Sequence, residues 1–548
     1  MHRLWKACSL CAGIALLLVV TPARADGKDL GAVVITASRL NQPAEALSQT
    51  VEVITREEID HLRAASATEV LRQVPGANVI QQGGRGGVSS ILLRGGEPNF
   101  TVVLIDGVQV NDPTNTNGGS YDTGSLEQAH IGRVETVLGA MSPVYGSDAL
   151  SGVINLVTRG PDSGSDVSVE TGTDGYGSAS GFYGGSVADI GVGLGAHVID
   201  DDGDVEGSDY KGRGLSGKFS GEFAGTGTAG LSLGYQSIES TSFPQDSGGP
   251  GLAVIRELDT RDIQEARAGL DIGYIFASRW QTGLQGSLYS RDEDYASPGI
   301  ASGVLDGIPP NTADTAFDRK QLRASIGTGF PGNISALAGT EWKNETGTSA
   351  GFGDFELDRD TVSAFAEARR DMGSLVLQGG IRWDDPDAID SVLTGRLGLL
   401  YRFPDGVTAL RANWGEGFKA PSFFALAHPI VGNPALKPET AENIDVGIER
   451  RFRDDSGSME FVVFRNEYDD LVDFNPELFI NVNRDTVVTT GAQAAVQFAP
   501  IPRVNIRAHL TWLDTEIRDS DDTLRGRPEW RGGAVLDWEI LPNWRLVT

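Results

Sequence analysis

From about residue 165 to the end of the chain, apolar and polar residues alternate with a period of two. In "VNIRAHLTW", Val504, Ile506, Ala508, Leu510 and Trp512 fall on one face, and Asn505, Arg507, His509 and Thr511 on the other. "LVLQGGIRWD" sets Leu375, Leu377, Ile381 and Trp383 against Gln378, Arg382 and Asp384, and "DIGVGLGAHV" groups Ile190, Val192, Leu194, Ala196 and Val198. This period predicts strands with one greasy and one polar face. The strands are separated in turn by short connections ("FPDG", "DDSG", "LPN") and by long polar loops at 241–261, 293–314 and 418–436. A soluble sandwich also alternates, but it rarely runs so far or keeps its short and long connections at opposite ends. A transmembrane β-barrel requires that asymmetry. In hydrocarbon every backbone N–H and C=O must be paired, so the sheet closes on itself with apolar residues outward and polar residues lining the lumen.

Residues 26 to about 160 follow a different pattern. Thr55 and Glu58 form a capping box ahead of "REEIDHLRAA", and Ser66 and Glu69 form another ahead of "TEVLRQV", which Pro75-Gly76 stops, so two short helices are expected. The runs "AVVIT" (32–36), "VEVIT" (51–55), "SSILLRG" (89–95), "TVVLIDG" (101–107), "GRVETVLG" (132–139) and "GVINLVT" (152–158) predict strands, several of them apolar on both faces and therefore covered on both sides. A compact α+β unit thus precedes the barrel. A barrel of about 20 strands has an open lumen, barrels of that size class are plugged, and this unit is expected to sit in the lumen as the plug.

The first 25 residues are set apart by the basic Arg3 and Lys6, the apolar "CSLCAGIALLLVV" and the small-residue site Ala23-Arg24-Ala25, which together predict a secretory signal peptide. Both cysteines, Cys8 and Cys11, fall within it, so the mature chain has neither a disulfide nor a cysteine metal site. Its loss removes three cations, moving the formal charge from −30 to −33 and excluding nucleic acid as a partner. The 71 glycines suit tightly turned β-structure. The barrel reading counts roughly 19 complete strands, then "NWRLVT" as the start of another.

Four motifs, taken together and in order, resemble the TonB-dependent outer-membrane transporters over essentially the whole mature chain: "TEVLRQVPGANV" (68–79), "LLRGGEPNFTVVLIDGVQVND" (92–112), "IGRVETVLGAMSPVYGSDALSGVINLVTRG" (131–160) and "GFKAPSFFALAHPIVGNPALKPETAENIDVGIE" (417–449). Leu138-Gly139-Ala140 departs from the usual Arg-Gly-Pro, so one plug charge is absent. The resemblance implies a barrel of 22 antiparallel strands with an N-terminal α+β plug in its lumen. Roughly two to three strands are then missing at the C-terminus, and the chain is expected to be C-terminally incomplete. The divisions expected are a signal peptide at 1–25, a periplasmic N-terminus at 26–40, a plug at 41–160 and the barrel at 161–548.

"DLGAVVITAS" is a short β-prone segment able to add as an edge strand to a partner's sheet. The resemblance makes it a TonB box, comprising Asp29, Leu30, Gly31, Ala32, Val33, Val34, Ile35, Thr36 and Ala37. It implies import energised by TonB with ExbB and ExbD, in a monomeric bacterial outer-membrane protein that is not an enzyme. Within the family the chain is most similar to the cobalamin (vitamin B12) transporters, which makes cobalamin the expected ligand and haem or a ferric siderophore the alternatives. The first apical loop then supplies Gln82, Arg85, Val88 and Ser89 as ligand-facing residues, and the second Asn111, Asp112 and Asn115. Asp200, Asp201, Asp202, Asp204, Glu206 and Asp209 form an acidic loop of the kind that binds Ca²⁺, with Asp292, Glu293 and Asp294 available from a neighbouring loop and no covalent cofactor expected. His428 stands where haem receptors of the family place an axial histidine. A passive porin would lack the plug and the TonB box. An outer-membrane enzyme would need a catalytic set, and there is no H-E-x-x-H pair and no mature-chain cysteine.

Overall fold

The computed structural model describes Val33–Val34, Gln42–Pro43 and residues 46–548 other than 65, 82–83, 127, 204, 206, 278, 303–306, 352, 388, 453–455, 485, 519–522 and 543. The expected signal peptide lies outside the described residues.

The N-terminal unit opens with β1 (Val33–Val34) paired antiparallel to β2 (Gln42–Pro43). Next come β3 (Val51–Thr55), α1 (Arg56–Leu62), α2 (Ala67–Leu71), β4 (Ala77–Gln81), β5 (Ser89–Leu93), β6 (Thr101–Ile105), β7 (Val108–Gln109), β8 (Ile131–Leu138), α3 (Ser142–Tyr145) and β9 (Gly152–Thr158). Five strands form one mixed sheet in the order β3-β8-β9-β6-β7, with β6 parallel to β9, and β4 pairs with β5 beside it. All five residues of β6 are buried, as expected of a strand covered on both faces. The Thr55–Glu58 capping box closes the start of α1. The expected Ser66–Glu69 box does not form: the Ser66 side chain makes no cap, and this short helix starts on the backbone turn from Glu69 N–H to Ser66 C=O instead. Its buried face, including Val70 and Leu71, packs into the same core as Ile54, Ile59, Ile91, Val103 and Ile154. Asp106 and Gly107 take positive φ (51° and 80°) in the tight turn between β6 and β7, the conformation that favours Asp-Gly there.

Residues Asp166 to Val547 form a single antiparallel sheet of 19 strands, each bonded to the next along the chain except for one small hairpin (Leu471–Asn475 with Ile480–Arg484) set aside from it. Alternate residues face outward and are apolar, for example Ile381 at 59% and Leu393 at 67% exposure, whereas their neighbours Arg382 and Thr394 are buried inside. Strand lengths are uneven around the sheet: Asn311–Phe330 has 20 residues, whereas Val392–Arg402 has 11. Short connections such as 188–189, 331–333 and 403–407 gather at one end, and longer ones such as 202–208, 243–258, 420–438 and 518–529 at the other. In a transmembrane barrel of this kind the short turns are periplasmic and the long loops extracellular.

The long strands correct one expectation. Asp292, Glu293 and Asp294 lie not in a loop but within Trp280–Ser297, because strands here continue past the roughly 10 residues that span a membrane. Above the lipid both faces of a strand meet polar surroundings, and the alternation that marks a strand fades. One further motif resolves structurally: Gly347-Thr348-Ser349-Ala350-Gly351 has the spacing of a nucleophile elbow but lies along the strand Ile334–Gly351, not on a strand-to-helix turn.

Side chains from widely separated strands converge on the N-terminal unit. Lys218, Arg291, Arg319, Arg411 and Arg507 each bond to it, and Phe317 and Tyr289 from the wall join its hydrophobic core. The sheet therefore wraps around the plug, whose polar surface meets the polar lumen wall.

Candidate ligand and coupling site

Two apical segments of the plug, 84–90 and 110–126, are tied to the barrel wall by one continuous ionic network. In the first, the Ser89 N–H donates to Asp122 Oδ1 at 2.9 Å, and Asp122 Oδ2 pairs with Arg261 at 2.7 Å. Arg261 also holds Glu293 at 2.8 Å, and Glu293 holds Arg291 at 2.7 Å. Arg291 then reaches the second segment directly, at Asp112 (3.2 Å), and indirectly through Glu265 (3.1 Å), which accepts from the Tyr121 hydroxyl. These groups are largely buried, so each bond is made at reduced dielectric and removal of one member leaves its partner unpaired. Burial and the Glu265 carboxylate hold the Tyr121 phenol well above its ordinary range.

The wall fixes the same loop a second time. Arg319 donates to the backbone carbonyls of Gln109 (3.1 Å) and Asn111 (2.9 Å) while its other side grips Glu345 at 2.7 Å. Glu345, fully buried, also pairs with Arg359 (2.8 Å) and Lys343 (3.5 Å). Lower down, Lys419 stands 3.5 Å from Asp148. Burial alone would raise the Asp148 carboxyl, but Lys419 and Lys343 together hold it below the usual carboxylate range.

Arg94, from "LLRGG", is the central contact between the plug and the strands Glu439–Arg451 and Val487–Ile501. Its guanidinium donates to Gln493 Oε1 (3.0 and 3.2 Å), stands 3.6 Å from Asp445 and lies 4.7 Å over the Phe464 ring. Its carbonyl accepts from Thr489 and Asn466. Leu138, where the family's second plug cation is usual, is buried in the plug core. The barrel-side partner Gln493 is neutral, so one cation faces one anion here.

The sequence-expected site residues distribute as follows. Of the expected TonB box, only Val33 and Val34 are described, as the strand β1. Gln82, Asp204 and Glu206 lie outside the described residues. Arg85 packs its guanidinium over Tyr210 (5.2 Å) and Tyr176 (5.9 Å) and stands 3.7 Å from Asp201, so the first apical loop meets the end of the strand Ile190–Asp201 in an ion pair; Asp200 and Asp201 thus lie in that strand, not in the loop expected for them. Val88 is half-buried and Ser89 buried. Asn111 accepts from Val103 N–H and donates to Thr101 and Gly119 carbonyls. Asp112 accepts from Thr114 as well as Arg291, and Asn115 bonds to Asn117, Gly119 and Ser120. These three side chains thus hold the second loop's shape. Asp200 and Asp202 are exposed and Asp209 is half-buried, and among the described residues no three carboxylates or imidazoles converge as a cation site. His428 is buried, and its Nδ1 accepts from the N–H groups of Ile430 and Val431.

Sequence patterning alone did not single out Arg94, Asp122, Arg261, Arg291 or the Glu345 cluster. For Arg261, Arg291 and Glu345 the signal available was a charged residue at an inward position of a barrel strand, whereas Arg94 and Asp122 lie off the strands and carry no such signal.

Comparison with known proteins places this architecture. Residues 163–548 match the TonB dependent receptor-like β-barrel family, and residues 43–153 match the TonB-dependent receptor plug domain. The chain is 27% identical over 533 residues to the vitamin B12 transporter BtuB of Vibrio cholerae serotype O1, covering 94% of this chain and 82% of that one. The fold is similar to the ferripyoverdine receptor of Pseudomonas aeruginosa bound to ferripyoverdine (TM-score 0.78, 16% identity, 93% of this chain and 76% of that one). It is also similar to the siderophore receptor PiuA of Acinetobacter baumannii (TM-score 0.76, 15% identity, 92% and 87%).

Proposed function

Because this chain belongs to the TonB-dependent receptors of the outer membrane, and so works in transport across that membrane, we propose that its ligand is cobalamin and that TonB, energised through ExbB and ExbD, drives the uptake. The observation that carries the reading is the single network joining both apical loops to the wall. A ligand seated on Arg85 and Val88 in the first loop and on the rim of the second perturbs the Ser89–Asp122–Arg261–Glu293–Arg291–Asp112 chain as one unit. Loosening it weakens the hold on the plug. For that to act as a signal, ligand must bind the loosened state more tightly than the closed one. On the opposite side, β1 exchanges its pairing with β2 for pairing with a strand of TonB, and the pull is transmitted along residues 46–50 into β3.

The choice of cobalamin over other scarce ligands is supported by the likeness to the Vibrio cholerae transporter over most of both chains. The structural likenesses to siderophore receptors, at 15–16% identity, speak for the fold alone. Asp201 is already paired with Arg85, and the described carboxylates do not converge on a common point. The test is binding of labelled cyanocobalamin to outer membranes carrying the protein, with and without EDTA, competed by haem and by ferric siderophores. Saturable cyanocobalamin binding that the competitors leave intact is expected. Displacement by haem or a siderophore, or no binding with calcium present, removes cobalamin as the ligand.

A further inference from the structure

The five-stranded plug sheet begins with a strand whose carboxylate is not neutralised by its surroundings. Glu52, on β3, lines a cavity of about 280 Å³ between plug and barrel wall, together with Arg411, Glu449, Glu460, Arg507 and His509. Arg411 is committed to Glu449 (2.5 Å), with Glu460 at 3.8 Å, and donates to the Leu47 carbonyl. Arg507 is paired with Glu58 of α1. Beyond Glu460 lie Arg94 and Asp445, already paired with each other. The pair Arg133–Glu135 on β8 lies across from Thr55 and Val53, on the other face of β3 from Glu52. Four carboxylates therefore share two guanidiniums, and among the described residues no ion pair is made by Glu52. Two uncompensated charges in a partly enclosed space are costly, and the least expensive relief is to leave one carboxyl protonated.

We propose that Glu52 is a proton-linked latch of the transport cycle: it is a neutral carboxylic acid while β3 is seated, and it gives its proton to periplasmic water when β3 is drawn out. The O–H bond breaks, water takes the proton, the carboxylate stays on β3, and reseating the strand reverses the exchange. Burial, then Glu460, with Glu449 and Glu58 adding and Arg507 opposing, pushes the Glu52 carboxyl up to about 8. The seated strand then binds more protons than the withdrawn one between about pH 4.5 and pH 8, so withdrawal becomes easier as pH rises through that window. A pull from the N-terminal side reaches β3 before any other strand of the five-stranded plug sheet, which places the latch where the first resistance is met.

The proposal rests on plug displacement being part of transport, but not on the ligand. Hydrogen–deuterium exchange of the amides at 51–55, corrected for intrinsic rates, is measured on the full-length receptor in detergent without ligand or TonB, at pH 6.0 and 8.5. Opening of β3 is expected to rise at least tenfold in the wild type and less than threefold in Glu52→Gln. Glu460→Gln, which removes one surplus charge from the wall, is expected to move the wild-type transition downward by half a pH unit or more. Equal pH responses in wild type and Glu52→Gln, or no movement in Glu460→Gln, overturns the latch. Failure to bind cyanocobalamin leaves it standing, since no ligand enters the measurement.

Discussion

Replacing Arg94 with alanine is expected to loosen the plug while leaving the barrel folded. The guanidinium is almost wholly buried, holds Gln493 through two donors, faces Asp445 at 3.6 Å and covers the Phe464 ring at 4.7 Å. Its removal strands Asp445, which among the described residues keeps the Asn413 amide at 3.0 Å. Breaking a buried pair by deleting one partner costs about 3–5 kcal/mol. The surviving Asn413 contact, and the fact that Asp445 can take up a proton, put the expectation near the lower end, about 3 kcal/mol. That corresponds to roughly a hundredfold rise in the unseated population. With a urea dependence of about 1–3 kcal/mol per molar for a unit of plug size, the midpoint for plug release should fall by about 1–3 M. The assay is urea-dependent proteolysis of the plug in the detergent-solubilised receptor, with barrel integrity followed separately by its far-UV dichroism. Arg94→Met combined with Asp445→Asn, which removes both charges, should recover most of the loss. A midpoint within 0.3 M of wild type for Arg94→Ala, or no recovery in the double variant, refutes the argument that this pair holds the plug.

Three further outcomes are expected. His130 packs against His197 with ring centroids 4.8 Å apart and bonds Ser216 at 2.7 Å; burial, then His197 and the nearby Arg267, Arg159 and Arg56, push its imidazole down to about 3. The seated plug therefore binds fewer protons than the released one between about pH 3 and pH 6.5, so this contribution falls as pH drops through that range. Relative to His130→Asn, the wild-type plug should lose about 2 kcal/mol between pH 7 and pH 5 in the same proteolysis assay, and identical pH profiles would count against it. Thr55→Ala removes the α1 cap and should cost the plug about 1 kcal/mol, with Thr55→Ser recovering most of it. A Cβ at Gly347 would stand 2.6 Å from both Phe423 and Thr114, so Gly347→Val should overpack the second apical loop by about 1–3 kcal/mol and raise amide exchange at Thr114 and Asn115.

Much of the architecture was legible because a membrane imposes a strict rule on the residues it touches. The set Leu375, Leu377, Ile381 and Trp383 faces lipid, and no other arrangement of that strand keeps it there. The Thr55–Glu58 box was readable because both partners lie within one turn; Ser66 and Glu69 share the same spacing, and the difference came from the buried setting of α2. What stayed hidden was pairing at a distance. Nothing near Arg94 announces Gln493, and nothing near Asp112 announces Arg291, since such partners meet only when the sheet has wrapped around the plug. Above the lipid the two faces of a strand become chemically alike, which is why Asp292–Asp294 read as a loop.

The uneven strand lengths give the extracellular mouth a slope. At about 3.3 Å per residue, Asn311–Phe330 runs well beyond any bilayer, whereas Val392–Arg402 barely clears one. The rim is thus a parapet on one flank and a threshold on the other, overhung there by the connection at 420–438. On the low flank a bulky solute has less wall to clear before it reaches the apical loops, and over the tall flank it meets the strand Asn311–Phe330 first.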